Sequence, residues 1–471
     1  MIEDRTRRLL DVRLAREQAD QRLPSVAAGV ARDGELLWTG GRGLADGQAP
    51  GASTQYRAGS ITKTFVATAV LMLRDAGRLS LSDPIGTYLD DEVAGAVGSM
   101  TIGSLLSHAA GLRAETAGPW WERTPGTSLA ELAASSLGAD AARFRPGRRH
   151  HYSNVGYALL GALLTAQHGL PWYDVIARDL LGPLGMNRTT TRPQRPHATG
   201  YAVHPYADAL LTEPEHDAGA MAPAGQLWTT VGDLAAFARF LSGGVPGLLA
   251  EATLAEMREP NVINDVPEQS WAAGYGMGLQ LWNTEGLRHY GHTGAMPGFI
   301  AIMQITDGSG ADTAIVMCNS TAGFNLTLAA DLLGILSEGE PYCPAEWIPA
   351  KVDQGLLDML GSWFWGPAPF TLRLDGDVLE LSMDGGPRAM RFRPDGAGRW
   401  TGIDGYQAGE PLVPVTGPDG SVIALDIGSF IYTRTPYDPA APVPGGIDPA
   451  RWQAAAAGLP AKSAGRPTDI T

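Results

Sequence analysis

Lysine is nearly absent from this sequence: of 35 Lys and Arg residues, only Lys63, Lys351 and Lys462 are lysines. Cysteine is scarce as well. Cys318 and Cys343, the 2 present, cannot make a disulfide framework, and no CxxC or Cys/His cluster points to a metal. No apolar run approaches the roughly 18 residues of a membrane span. A basic excess is missing too. The formal net charge of −15 repels phosphate backbones and argues against a nucleic-acid partner. The opening stretch, MIEDRTRRLLDVRLAREQADQRLPS, is charged throughout and lacks the apolar core of a secretion signal. These absences set the expectation of a soluble cytoplasmic protein with no membrane or nucleic-acid partner, no metal and no cofactor.

What is present is ordinary globular composition, 44% hydrophobic and 18% charged, over 471 residues. That length exceeds one ordinary core, so two domains are expected. Residues 26–45 read as a hairpin around Asp33-Gly34. Helical spacing appears at 60–73, 101–112, 155–167, 172–181, 230–242 and 327–337, and strand-like stretches at 274–282, 298–306 and 312–318. Strands therefore open and close a first domain, 1–345, with helices inserted between, which predicts one antiparallel sheet built from both ends. From 346 to 438 short β-like runs alternate with Asp375-Gly376, Asp384-Gly385, Asp395-Gly396, Asp404-Gly405 and Asp419-Gly420, the pattern of a small antiparallel barrel. Residues 439–471, rich in Pro, Ala and Gly, read as a flexible tail.

Three short motifs carry chemistry. In YRAGSITKTFV, Ser60 and Lys63 stand three apart, one turn of a helix. A serine hydroxyl needs a base to become a nucleophile, and a buried lysine can serve once its pKa falls. In HHYSNVGY, Tyr152 offers a phenol for proton relay and Asn154 an amide for substrate contact. In YGHTGAMPG, His292-Thr293-Gly294 precedes an apolar run, and its glycine permits close backbone approach of a ligand. Singly, each has an ordinary explanation: a surface lysine, a helix cap at Ser153 or Asn154, a turn before a strand.

The order Ser60-x-x-Lys63, then Tyr152-x-Asn154, then His292-Thr293-Gly294 resembles the penicillin-binding-protein-like serine hydrolases, in their class C β-lactamase branch. The stretches LLSHAAGL (105–112), FRPGRRHHYSNVGYALLG (144–161), LLGPLGM (180–186) and AGQLWTTVGDLAAF (224–237) are similar too, so the resemblance covers about residues 10–340. It implies an α/β fold: a β-lactamase/transpeptidase-like antiparallel sheet with a helical subdomain, followed by a lipocalin-like barrel. It implies Ser60 as the nucleophile of an acyl-enzyme and Lys63 and Tyr152 sharing the proton work, with the base unassigned between them. His292 takes the place of a lysine common in the family and completes the implied catalytic set. Asn154, Thr293, Gly294 and Ala295 would bind substrate, with the backbone N–H groups of Ser60 and Ala295 as the oxyanion hole. Trp120, Trp121 and Arg434 are further substrate-contact candidates.

A largely neutral His292 weakens the case for substrates with a free carboxylate. The resemblance is closest in style to stand-alone penicillin-binding-type thioesterases, which release and macrocyclise non-ribosomal peptides. The expected substrate is a small-molecule or peptide acyl donor, including one delivered on a peptidyl carrier protein. The alternatives are a D-stereoselective peptidase or esterase, a β-lactamase or DD-carboxypeptidase, and a non-catalytic penicillin-binding-like sensor.

Overall fold

The computed structural model describes residues 2–284, 286–308, 310–344, 346–383, 389–396 and 399–437. The expected turn at Asp384-Gly385 and the expected tail 439–471 lie outside the described residues. The chain divides into two compact units, Met1–Cys343 and Pro344–Thr471.

The first unit runs α1 (Asp4–Asp20), β1 (Ser25–Arg32), β2 (Glu35–Gly43), α2 (Thr62–Asp75), α3 (Asn154–His168), α4 (Val231–Leu241), β3 (Val262–Ile263), β4 (Ala273–Tyr275), β5 (Gln280–Thr284), β6 (Leu287–Met296), β7 (Phe299–Thr306), β8 (Asp312–Cys318) and α5 (Thr327–Gly339), with shorter helices between. The strands form one sheet in the order β2-β1-β8-β7-β6-β5-β4-β3. One strand in from an edge, β1 pairs with β8, so both ends of the unit meet in the sheet, as expected. Asp33 (φ 50°) and Gly34 (φ 78°) supply the two left-handed residues that turn β1 into β2.

Side chains alternate across each strand, and along β1, β7 and β8 both faces are buried. Val26, Ala28, Val30, Val316 and Ile302 pack with Leu10 and Leu14 of α1 and Leu328, Leu332 and Leu336 of α5. Ala27, Ala31, Met303, Ile305, Ile315 and Met317 face a larger core that includes Phe65, Phe237 and Phe240 from α2 and α4. Each fully buried Leu or Phe contributes about 1.5–3 kcal/mol, so the sheet is held from both sides and forms a rigid base for the site.

Two expected elements are shorter than the sequence pattern. The helix expected over 101–112 is confined to Ile102–Leu106, because the chain turns at His108 (φ 57°) and Gly111 (φ 69°). The strand expected over 274–282 is two strands, β4 and β5, parted at Gly278 (φ 75°).

The second unit is a closed eight-stranded antiparallel barrel from Gly361–Trp365 to Phe430–Thr433, sealed by Phe364 opposite Thr433. Gly376, Gly396 and Gly420 take positive φ at the expected Asp-Gly turns. Trp363, Leu372, Leu379, Leu381, Phe392, Leu412, Leu425 and Ile427 fill its core. Arg434 donates to the carbonyls of Asp358, Leu360 and Ser362, and its guanidinium lies 3.9 Å from the Trp363 ring centroid. Both terminal nitrogens of this candidate substrate contact are thus engaged within its own unit.

Candidate active site

The short strand Tyr56–Arg57 pairs with Trp228–Thr229, and the Ala58 N–H donates to Leu227 O at 2.7 Å. Gly59 then takes φ 54°, and a single 3₁₀ turn, Gly59–Ile61, leads into α2 at Thr62. Ser60 therefore sits just before the helix rather than inside it. A 3₁₀ turn eclipses residues i and i+3, which brings Lys63 Nζ to 3.0 Å from Ser60 Oγ. Lys63 is fully buried and also donates to Ala224 O at 2.6 Å. Burial pushes its amine down to about 7, against the pull of Glu115 and Glu122. The Tyr152 ring centroid lies 5.0 Å from Lys63 Nζ, and Ser60 is a neighbour of its hydroxyl. Burial holds the Tyr152 phenol well above its ordinary value, so it stays protonated at neutral pH.

Ser153 caps α3, its Oγ accepting from Gly156 N at 3.0 Å. That cap fixes Tyr152 and Asn154 on either side of the helix start. Asn154 Nδ2 donates to Glu115 Oε1 at 2.6 Å, and Trp121 Nε1 donates to Glu115 Oε2 at 2.8 Å. An ionised carboxylate only accepts, so the Asn154 amide has one orientation. Its Oδ1 is left buried without a partner. Glu115 was not singled out in the sequence: its partner lies 39 residues away, and no motif marks the pair. The two candidate tryptophans separate. Trp121 is buried against Glu115, whereas Trp120 is 60% exposed, bonded to Glu122 at 2.9 Å and stacked with Arg123.

The third motif lies inside β6, not in a turn before a strand. The strand runs backbone to backbone against the Ser60 turn: a Cβ on Gly294 would sit 1.9 Å from Ala58 O, and one on Gly59 would sit 2.5 Å from Ala295 N. Thr293 N and Oγ1 both donate to Gln280 Oε1, at 2.9 and 3.0 Å. Residues two apart on a strand point their N–H groups to the same edge. Ala295 N–H therefore faces that edge as well, beyond Gly291, where the β5 ladder ends. The Ser60 and Ala295 N–H groups are thereby neighbours. Gly294→Ala is expected to force the strand off the Ser60 turn. Activity should fall about 10²-fold or more, as for loss of an oxyanion donor, and the melting temperature should fall in a thermal scan.

His292 is fully buried, with Nδ1 donating to Thr293 O at 2.5 Å and Nε2 accepting from Tyr275 Oη at 2.9 Å. Burial, with Lys63 nearby, pushes the imidazole down to about 3, so it is neutral. Sequence reasoning placed it among the catalytic groups. Both of its nitrogens are committed, one to the Thr293 carbonyl in β6 and one to Tyr275. Sequence reasoning also gave His108 no role. Its ring lies 4.1 Å from that of Tyr152, and its Nδ1 accepts from Ser153 N at 3.1 Å.

Among the described residues no group of three or more His, Cys, Asp or Glu side chains is placed to hold a metal, and no helix is long and apolar enough to cross a membrane. The family described as Beta-lactamase matches residues 10–334, and one described as Domain of unknown function (DUF7586) matches 352–434. Penicillin-binding protein 4 of Amycolatopsis lactamdurans is 30% identical over 344 residues, 68% of this chain and 87% of that protein. Among solved structures, the octameric penicillin-binding protein homologue of Pyrococcus abyssi shares the fold at TM-score 0.62 and 20% identity, over 90% of this chain and 99% of that one. SurE aligns at TM-score 0.56 and 25% identity over 91% of this chain and 99% of its own. A D-stereospecific amidohydrolase from Streptomyces sp. aligns at 0.56 and 25% over 71% and 98%. The chain belongs to the beta-lactamase family of serine hydrolases.

Proposed function

We propose that this protein is a serine acyl-enzyme catalyst for peptide-type acyl donors whose reacting residue is D-configured and carries an N–H or free amine. The best-fitting donor is a peptidyl thioester, the form borne by a peptidyl carrier protein, released by attack of the peptide's own amine. The observation that carries this reading is the buried Lys63 amine 3.0 Å from Ser60 Oγ. Neutral Lys63 takes the hydroxyl proton as Ser60 attacks the acyl carbonyl. The Ser60 and Ala295 N–H groups hold the oxyanion, with Thr293 and Gly294 flanking the bound chain. The Tyr152 phenol passes a proton to the leaving sulfur or nitrogen and regains one from Lys63. Water or an amine then enters by the reverse steps.

Substrate choice follows from Asn154 and Glu115. With Nδ2 held by Glu115, the free Oδ1 calls for an N–H donor on the substrate, and the Glu115 and Glu122 carboxylates favour a cation. A neutral His292 supplies no positive charge for a substrate carboxylate, which disfavours penicillins and D-Ala-D-Ala ends. The relatives support D-configuration: one is a D-stereospecific amidohydrolase, another is SurE with D-Leu.

Since the working form of Lys63 is the neutral amine, kcat/KM should fall about tenfold per unit as pH drops below about 7 and level off above it. A flat profile from pH 6 to 8 would contradict Lys63 as the base. The substrate reading is tested with paired peptide thioesters ending in D- or L-residues, and products separated by mass. Preference for the D-series with cyclic product supports it. Preference for the L-series, or nitrocefin turnover exceeding that of every peptide, sinks it.

A further inference from the structure

We propose that the loop 143–149 is a docking site for a phosphate-bearing leaving group, the phosphorylated thiol arm from which the acyl chain passes to Ser60. This rests on the acyl-enzyme reading above. In a chain of net charge −15, four of these seven residues are arginine: Arg143, Arg145, Arg148 and Arg149. No acidic residue follows until Asp174. All four arginines are exposed. Arg143 reaches Asp140 at 3.4 Å, whereas Arg145, Arg148 and Arg149 form no ion pair among the described residues. Unpaired like charges so close together repel one another, and a multivalent anion relieves that repulsion.

The loop is held rather than loose. Phe144 N donates to Gly111 O, Gly147 N to Ala109 O, Arg148 N to Arg145 O, and His151 N to His108 O. The Phe144 ring packs on His151 at 4.8 Å, and Arg149 stacks on Phe144 at 4.9 Å. The backbone is thus pinned to the segment that carries His108, while the guanidinium heads stay in solvent. The loop also ends at Tyr152, the group proposed to protonate the leaving atom. Three residues span at most ~11 Å, so the Arg149 backbone stands close to Tyr152, the group proposed to serve the leaving atom. Inside the cleft the charge reverses, at Glu115 and Glu122. The site is matched to a donor with an amine on its acyl side and an anion on its leaving side. In the step served, a Ser60 Oγ–carbonyl bond forms and the C–S bond breaks. The sulfur departs as a thiol with the proton supplied through Tyr152, and the phosphate leaves with it unchanged.

The test compares one peptidyl chain on pantetheine and on 4′-phosphopantetheine, which differ only in the phosphate. Dissociation constants are measured by calorimetry on Ser60→Ala protein, so turnover does not interfere. The expected result is about three- to tenfold tighter binding of the phosphorylated arm at low salt. The difference should vanish in the Arg145→Ala/Arg148→Ala/Arg149→Ala background and shrink at about 0.5 M NaCl, where screening is short-ranged. Equal affinities, no measurable binding of the phosphorylated arm, or a difference that survives the triple substitution would overturn the inference. Acylation of wild-type protein is read separately by mass. Its absence counts against the acyl-enzyme reading, while the affinity ratio alone decides whether the arginine loop binds phosphate.

Discussion

Replacing Lys63 with arginine is expected to lower the rate of Ser60 acylation by about 10²–10⁴-fold, the range that general-base catalysis supplies. The substitution keeps a long cation in place and removes only the ability to lose a proton. Lys63 is suited to that loss because among the described residues no carboxylate lies within ion-pair distance and the amine is fully buried. Its acceptors are neutral, Ser60 Oγ and Ala224 O. Arginine is bulkier in a packed site, so a drop in melting temperature is also expected. Lys63→Ala separates the two effects: it relieves the crowding yet should remain as slow as Lys63→Arg. The check is single-turnover acylation by a peptidyl thioester, with circular dichroism to show retained fold. Recovery of most activity in Lys63→Arg would mean that Lys63 acts as a fixed charge and not as a base.

The second large effect is expected at Glu115. Glu115→Gln keeps the size of the side chain but removes the charge and turns one of the two acceptors of Asn154 Nδ2 and Trp121 Nε1 into an N–H donor. A hydrogen bond to a charged group contributes about 1.5–3 kcal/mol. The preference of kcat/KM for a free amine over its N-acetyl counterpart should therefore fall about 10–100-fold. Glu115→Ala goes further, because Asn154 is then free to rotate and present Nδ2 to a substrate carbonyl. The measurement is the ratio of kcat/KM values for the paired substrates in wild type and both variants. A ratio unchanged in Glu115→Gln would show that the carboxylate only braces Asn154 and does not read the amine.

Much of the site was legible because its chemistry needs particular residue types at particular spacings. A serine three residues before one of only three lysines, with Tyr152 and His292 downstream, pointed to the acyl-enzyme family before any coordinates. Hairpins and Asp-Gly turns were legible because positive φ restricts which residues fit. What escaped the sequence is tertiary. The Ser60 turn is 3₁₀ because Gly59 and β6 press on it, and helical periodicity does not report that pressure. Glu115 looked like any loop acid until Asn154 and Trp121 were placed against it. His292 was placed in the catalytic set by its motif, and the sequence did not report that Tyr275 and a carbonyl hold both its nitrogens. Arg434 was a substrate-contact candidate by charge, and the sequence did not report that three backbone carbonyls of its own unit engage its two terminal nitrogens. In each case the residue type was legible, and the packing partners that surround it were not.

The most direct test of the central claim is intact-mass spectrometry of rapidly quenched protein after mixing with a D-terminated peptidyl thioester. The account predicts a mass increase equal to the acyl chain, mapped to the peptide containing Ser60. That increase should be absent in Ser60→Ala and should decay in wild type to a released peptide. An acyl adduct that persists in Ser60→Ala, or wild-type protein that gives neither adduct nor product, would contradict it.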